Sequence, residues 1–364
     1  MAKLKTALSE MLGLTMPIIQ APMAGGPSTV ELVAACSAAG ALGSFGFAYT
    51  QPDEMKRQAA LVRAKTGRPF GINLFSSTLP ADIPDAAQRG ALDAVKGYFA
   101  EVGLPAPEPA RAPYGPDFEA QLAAISEIAP RVFTVHLSAL APERITALKA
   151  RGIVIGGSAT CVAEAEKLAS LGFDFVIAQG GEAGGHRGTY LRDPSEALTG
   201  TLALTRLIIR AVKVPVIAAG GIMDGAGIAA ALALGAQAAQ LGTAFIPCPE
   251  SGAPQPHKDA LLAAREDITS ITEKFSGKPA RGIANRFMRE MNASDAAQLA
   301  FPAQNSVTTK LRAAAAKAGK PEFLAMWAGQ GLAMSRALPA AELVTRLEAE
   351  TIEAIRRTNA LLKE

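Results

Sequence analysis

A chain of 364 residues, 49% apolar and 19% charged, is long enough to bury a large core. Its net charge of +3 comes from Lys and Arg scattered among acids, and no basic block or basic-aromatic stripe marks a nucleic-acid surface. Three cysteines, Cys36, Cys161 and Cys248, lie far apart without CxxC spacing, which argues against a metal or redox pair and for three small buried hydrophobes.

The segment Met1 to Thr6 carries positive charge but is followed by no apolar run, so no secretory leader is expected. The longest uncharged stretch, Gly225 to Cys248, is interrupted by Gln237, Gln240 and several glycines, and reads as protein core rather than a membrane span. A cytoplasmic protein with no membrane or nucleic-acid partner is the expectation.

Short apolar segments recur along the chain with Ala-rich helical stretches between them. They are Pro17–Met23, Ala41–Phe47, Phe70–Phe75, Val132–Ser138, Val154–Ala159, Phe175–Gln179, Pro215–Gly221 and Ala238–Phe245. Apolar strands without polar alternation are the mark of parallel strands covered on both faces, with the helices as crossovers. Eight such units predict an α/β fold, a (β/α)8 TIM barrel.

Two places break the spacing. Between the third and fourth strands, helical patterns at Asp85–Val102 and Asp117–Ala129 flank a proline-rich joint, Pro105–Pro116. After the eighth strand, Pro247 to Arg336 is too long for one crossover and reads as a mostly helical excursion. The last helix puts Leu343, Val344, Leu347, Thr351, Ile352 and Ile355 on one face, as a covering helix of the barrel would. The expected organisation is a barrel of residues 1–246 and 337–364, with a cap of residues 247–336 inserted after strand eight over the C-terminal mouth.

The densest signal follows the sixth strand. Gln179-Gly180-Gly181-Glu182-Ala183-Gly184-Gly185-His186-Arg187-Gly188 is a glycine-crowded loop holding one of only three histidines. Glycines bring backbone close to a ligand, and His186 is then a candidate base at the barrel mouth. His136, in the fourth strand, is either a substrate contact or a satisfied polar group of the core. His257, between prolines, is expected at the surface.

Loops after strands seven and eight often hold a phosphate in barrels of this kind. Here they read Ala219-Gly220-Gly221-Ile222-Met223-Asp224-Gly225 and Gln240-Leu241-Gly242-Thr243. Backbone amides of Gly221, Gly242 and Thr243, with the Thr243 hydroxyl, can cradle a phosphate, aided by the dipole of a following helix that Asp224 would cap. No GxGxxG follows a first strand, so a mononucleotide such as FMN or a sugar phosphate is favoured over a dinucleotide. Asn73, Gln179 and Gln240, at other strand ends, suit hydrogen bonding to a flavin.

Together with Pro17–Gly25, Phe70–Phe75 and Trp327-Ala328-Gly329-Gln330-Gly331, these loops form a motif set that resembles the bacterial class I nitronate monooxygenases from about residue 12 to the terminal helix. The resemblance implies an FMN enzyme that oxidises alkyl nitronates, propionate 3-nitronate among them, with O2 to nitrite and a carbonyl product. It also implies flavin contacts at Met23, Asn73, Gln179, Gly184, Gly221, Gln240, Leu241, Gly242 and Thr243, with His186 as the base. His136 and Lys310 would meet substrate, Lys310 by attracting an anionic nitronate. One departure stands out: where the family has Ser-Phe-His-Phe-Gly, this chain has Thr134-Val135-His136-Leu137-Ser138. An NAD(P)H-dependent FMN reductase acting on quinones or enoyl-acyl-carrier protein shares a similar loop and is the alternative.

Overall fold

The computed structural model describes residues 4–76 and 81–362; the first residues of the segment read for a leader, Met1 to Lys3, lie outside them. Among the described residues there are twelve strands: β1 (Ile18–Gln20), β2 (Met23–Ala24), β3 (Gly43–Gly46), β4 (Phe70–Phe75), β5 (Val132–His136), β6 (Val154–Ala159), β7 (Phe175–Gln179), β8 (Gly185–His186), β9 (Val216–Ala219), β10 (Ala238–Leu241), β11 (Thr269–Thr272) and β12 (Ala280–Ile283). Nine form one parallel sheet in the order β1-β10-β9-β7-β6-β5-β4-β3-β2. The sheet curls until β1 meets the residue before β3. Leu42 donates its N–H to the Ile18 carbonyl at 3.0 Å, and Gln20 donates to the Leu42 carbonyl at 2.9 Å. β1 and β2 are one barrel strand broken at Ala21-Pro22, which yields the eight expected staves of a TIM barrel.

The helices are α1 (Ala7–Leu12), α2 (Val30–Ala38), α3 (Pro52–Lys65), α4 (Asp85–Glu101), α5 (Phe118–Ile128), α6 (Pro142–Lys149), α7 (Val162–Ser170), α8 (Thr201–Ala211), α9 (Gly225–Ala233), α10 (Gln255–Ala263), α11 (Arg286–Asn292), α12 (Ala303–Lys317) and α13 (Ala340–Asn359). Among the described residues, no helix is long and apolar enough to cross a membrane.

Both faces of the strands are buried, which is why they read as unbroken apolar runs. Inside, Ile19, Leu42, Val132, Phe175, Ile177 and Ile217 pack with Leu8, Leu12 and Leu14, so that α1 closes the bottom of the barrel. Thr6 and Ser9 form a capping box that starts this short helix. Outside, α13 packs against α9 and α2 through Leu343, Val344 and Leu347, the covering role expected of it. Its buried face turns toward Ala354, leaving Ile355 exposed. All three cysteines are buried free thiols, and burial pushes the Cys248 thiol up to about 12.

Two features were not anticipated. Ala91, Val95 and Phe99 of α4 pack with Phe287, Leu311 and Phe323, so this helix shares a core with the segment after β10 although it precedes β5 in the chain. The excursion after β10 also contains a three-stranded antiparallel sheet, β11-β12-β8, whose edge strand comes from the glycine-rich loop. Ala280 pairs with His186 and Arg281 with Gly185, so the loop is stitched to a segment about 95 residues away in the chain. A two-residue strand has no periodicity of its own, and only its partner reveals it.

Candidate active site

A cavity of about 530 Å³ opens at the C-terminal ends of the strands, within the range typical of cofactor and ligand sites. Its walls come from the ends of β2, β4, β5, β7, β9 and β10 below and from α12 and residues 324–331 above. No Asp or Glu lines it among the described residues, and Arg312 is its only Lys or Arg. Such a cavity favours anionic and neutral ligands over cations.

The loops after β9 and β10 form one end of the cavity. Gly221 holds φ +69°, a conformation that favours glycine, and turns the chain immediately below the cavity. Gly221, Gly242 and Thr243 all line the cavity. Thr243 accepts the Gly329 N–H at 2.9 Å, so its own hydroxyl proton remains available to a ligand. Asp224 caps α9 as expected, accepting from Gly227 N–H at 2.8 Å. The helix does not serve the site, however. Glu350 takes the Gly225 N–H at 3.1 Å, and these two carboxylates occupy its N-terminus. Leu241 also departs from expectation: its side chain packs in the core with Leu343 and Phe245, because strand alternation sends it away from the side that Gln240 faces.

Met23, Asn73, Gln179, Gly184, Gln240 and His186 are brought together around the cavity. Asn73 donates its amide to Thr134 Oγ1 at 2.9 Å, which aims its carbonyl oxygen as an acceptor. Gln240 has no protein partner among the described residues, and both ends of its amide remain available. Gln179 is committed to the protein. It donates to the His186 carbonyl at 3.0 Å and accepts the Gly188 N–H at 2.8 Å, fixing both sides of Arg187. Gly184 lies so close to the cap loop that a Cβ there would sit 2.5 Å from the Ala328 carbonyl carbon, which explains the glycine.

His186 stands in an aromatic enclosure, with ring centroids 5.5 Å from Phe75, 5.8 Å from Phe301 and 5.7 Å from Trp327. Its Nε2 is 2.9 Å from Ser276 Oγ, and that hydroxyl donates to the Lys278 carbonyl at 3.1 Å. A hydroxyl has one proton; with that proton on the Lys278 carbonyl, Ser276 accepts from His186 and the imidazole carries its own proton on Nε2. Nδ1 is left as a lone pair without a protein partner among the described residues. Burial, and next the charges of His136, Lys278 and Arg312, lower its pKa to about 3. The ring is therefore neutral at pH 7 as expected, but it does not titrate near neutrality: burial within the aromatic enclosure makes it a weak base.

His136 resolves toward the second of its two readings. Its Nε2–H donates to the His186 carbonyl at 3.1 Å and its Nδ1 accepts from Ser158 at 2.8 Å, so both nitrogens hold the protein together while one edge of the ring lines the cavity. Leu137, which follows it, has φ +75°, an unusual conformation for leucine that turns the chain sharply at the strand end. Lys310 is exposed and does not line the cavity. The face of α12 turned inward bears Asn305, Thr309, Arg312, Ala313 and Ala316, at helical spacing, and the cation facing the cavity is Arg312. His257 is buried, not at the surface; it lines the cavity with its Nε2 unpartnered among the described residues, and burial lowers its pKa to about 4.

Arg187, next to His186 in the chain, is fully buried and gives its guanidinium to the carbonyls of Gln179, Gly180 and Ala197 at 2.8–3.0 Å. Neither it nor Ser276 was singled out from the sequence. The arginine gives no local sign of the carbonyls it will meet, and Ser276 is 90 residues from the histidine it contacts.

The sequence profile described as nitronate monooxygenase matches residues 5–350. The chain is 42% identical over 354 residues to the nitronate monooxygenase of Paraburkholderia phytofirmans, with 96% of each chain covered. It is 41% identical to that of Pseudomonas aeruginosa, with 94% and 98% covered. Among solved structures, nitroalkane oxidase from Streptomyces ansochromogenes superposes with a TM-score of 0.88 at 41% identity, covering 97% of this chain and all of that one. FabK from Thermotoga maritima superposes with a TM-score of 0.77 at 26% identity, covering 99% and 100%. With a matching profile along most of its length and relatives above 40% identity, the chain belongs to the nitronate monooxygenase family.

Proposed function

We propose that this protein oxidises alkyl nitronates, propionate 3-nitronate among them, with O2, releasing nitrite and a carbonyl product, and that it does so with noncovalent FMN. The observation that carries the reading is the cavity itself, which joins a backbone-amide anion cradle to a buried neutral imidazole with no carboxylate between them. The donor set suits FMN. Gly221, Gly242 and Thr243 would hold the 5′-phosphate, while Met23, Asn73, Gly184 and Gln240 would meet the ring and ribityl chain, with Gln179 acting through the loop it braces. FMN, when bound, supplies the electron acceptor that passes reducing equivalents from the nitronate to oxygen. In this reading, residues 1–246 and 337–364 hold the cofactor, and residues 247–336 cover the substrate.

The role of His186 follows from its basicity. A neutral nitroalkane must lose its α-proton, and the bare Nδ1 is the group to take it. An imidazole with a pKa of about 3 is a reluctant acceptor, whereas a nitronate has already lost that proton. Nitronates are thus the better substrates, and activity on neutral nitroalkanes depends on His186. Oxygen uptake and nitrite release with ethyl nitronate and propionate 3-nitronate, together with release of FMN on heating, test the proposal. Absence of turnover on any nitronate, with rapid anaerobic bleaching of the flavin by NADH, would replace it with the reductase reading.

A further inference from the structure

His257 is a buried polar side chain that the proposed chemistry does not use. It lies in the first turn of α10, lines the cavity and is 5% exposed, and its Nε2 has no hydrogen-bond partner among the described residues. Burial keeps the ring neutral, so it has one proton for two nitrogens. The protein group that hydrogen-bonds the ring is the Trp327 carbonyl, which can only accept. With the ring proton on that carbonyl, the other nitrogen presents a bare lone pair. A buried acceptor is costly unless it meets a donor, and the lone pair therefore calls for a ligand that carries an N–H or O–H.

The reactants offer no such donor, since an alkyl nitronate and O2 have acceptor atoms only. FMN has two kinds: the N3–H at the pyrimidine end of its ring, and the hydroxyls of the ribityl chain beside the phosphate. Position decides between them. The indole of Trp327 lies 5.7 Å from the His186 ring while its carbonyl meets His257, so the Trp327 backbone stands between the two histidines. Two residues further on, the Gly329 N–H donates to Thr243 Oγ1 at 2.9 Å, in the loop assigned to the phosphate. From the other direction, Ile246, just past Thr243, packs in one apolar cluster with Met326 and with Leu261, one helical turn beyond His257. His257 is thus tied to the Thr243 corner by two short stretches of chain, on the side of the phosphate rather than of the reaction centre.

We infer that His257 is a cofactor-holding residue whose lone pair accepts a ribityl hydroxyl of FMN. This rests on the proposed FMN cofactor and adds to it a contact from the segment after β10, outside the glycine loops of the barrel. The same ring then serves two ends: through Trp327 it supports the backbone beside the phosphate loop, and through its other nitrogen it fixes the chain that leads from the phosphate to the flavin ring.

Serial dilution of the holoenzyme, read by the recovery of flavin fluorescence, measures the affinity. Losing one hydrogen bond to a neutral hydroxyl predicts that His257→Leu raises the Kd for FMN by about three- to thirtyfold, while His257→Gln, which keeps an acceptor, stays within about threefold of wild type. Reconstitution with 2′-, 3′- and 4′-deoxy-FMN identifies the hydroxyl: wild type should bind one of these more weakly than FMN by a similar factor, and His257→Leu should bind that analogue and FMN equally. Should His257→Leu fail to fold, the ¹⁵N signals of the histidine-labelled wild type, assigned with His257→Gln, replace it, and the His257 ring nitrogen should shift between FMN and that one analogue. An unchanged Kd, or a weaker Kd with the wild-type discrimination among the analogues intact, would mean that the ring only packs or holds a water, and so would a ¹⁵N signal indifferent to the analogue; each overturns the contact. A wild type that releases no FMN on heating and binds none when it is added refutes the cofactor itself, a result distinct from a yellow wild type whose affinity does not depend on His257.

Discussion

The Nε2 of His186 lies 2.9 Å from the hydroxyl of Ser276, a residue on the cap segment that also donates to the Lys278 carbonyl. The segment after β10 thus reaches the barrel's histidine: with the Ser276 proton on the Lys278 carbonyl, one hydroxyl holds the ring as its Nε2–H tautomer and leaves Nδ1 bare. The His186 carbonyl is held in turn by His136 and Gln179, so backbone and ring are fixed from opposite sides.

If Ser276 sets that tautomer, Ser276→Ala should lower kcat on neutral nitroethane by about 10–100-fold, toward the range for loss of general-base catalysis, with much less effect on ethyl nitronate. Ser276→Thr, which keeps the hydroxyl, should recover most of the loss. A steady-state comparison of the three proteins, matched for flavin content, checks this. An identical change on both substrates would reduce Ser276 to a packing role.

His186→Asn removes the lone pair on Nδ1 itself. Activity on nitroethane should fall by roughly 10²–10⁴, while ethyl nitronate retains a clearly larger fraction of its rate and flavin stays bound. Equal losses on the two substrates would show that the ring orients substrate rather than accepting a proton.

The pH dependence has two parts. Because His186 stays neutral down to about pH 3, kcat for a preformed nitronate should be flat between pH 5.5 and 8, with no limb of histidine type, by the low pKa of the buried ring. Stability behaves differently. His136, His186 and His257 all have pKa values of about 3–4 folded against 6.5 for an exposed ring. The unfolded chain therefore binds more protons below pH 6.5, and stability falls as pH drops through 6.5 toward 4. Thermal melts from pH 7 to 5, above the range of most carboxylates, should show this decline, and His257→Gln should make it shallower.

Arg187 offers a structural test. Its guanidinium ties the Gln179 and Gly180 carbonyls of the glycine-rich loop to that of Ala197, and Arg187→Met would leave the Gln179 and Ala197 carbonyls without this donor, while Gly180 keeps the Ala183 N–H. A loss on the order of 3 kcal/mol or more is expected from unsatisfied buried acceptors. Chemical denaturation measures it. A change below about 0.5 kcal/mol, the usual range for a surface substitution, would contradict the bracing role.

The barrel and its ligand-facing loops were legible in the sequence because both signals are local. Parallel strands buried on both faces must be continuously apolar, so Phe175–Gln179 and Val216–Ala219 announce themselves, and a backbone that must approach a ligand or another loop needs glycine, as at Gly184 and Gly221. His186, at the end of such a strand, could be found from its neighbours alone. The phasing of α12 could not. Its stretch of Thr, Lys, Arg and Ala has no strong apolar stripe, so nothing local told Arg312 from Lys310 until the helix was packed against the barrel. Hydrogen bonding was hidden for the same reason. Gln179 looked available to a ligand and His136 stood between ligand contact and satisfied core group, yet Gln179 is taken by the backbone around His186 and His136 by that backbone and the Ser158 hydroxyl, and the base strength of the His186 ring depends on Phe301, Trp327 and Ser276, which only the folded chain brings to it. Strand order and loop chemistry are written in neighbouring residues, whereas tautomer, basicity and the facing of a helix are properties of long-range contact, which tertiary structure alone decides.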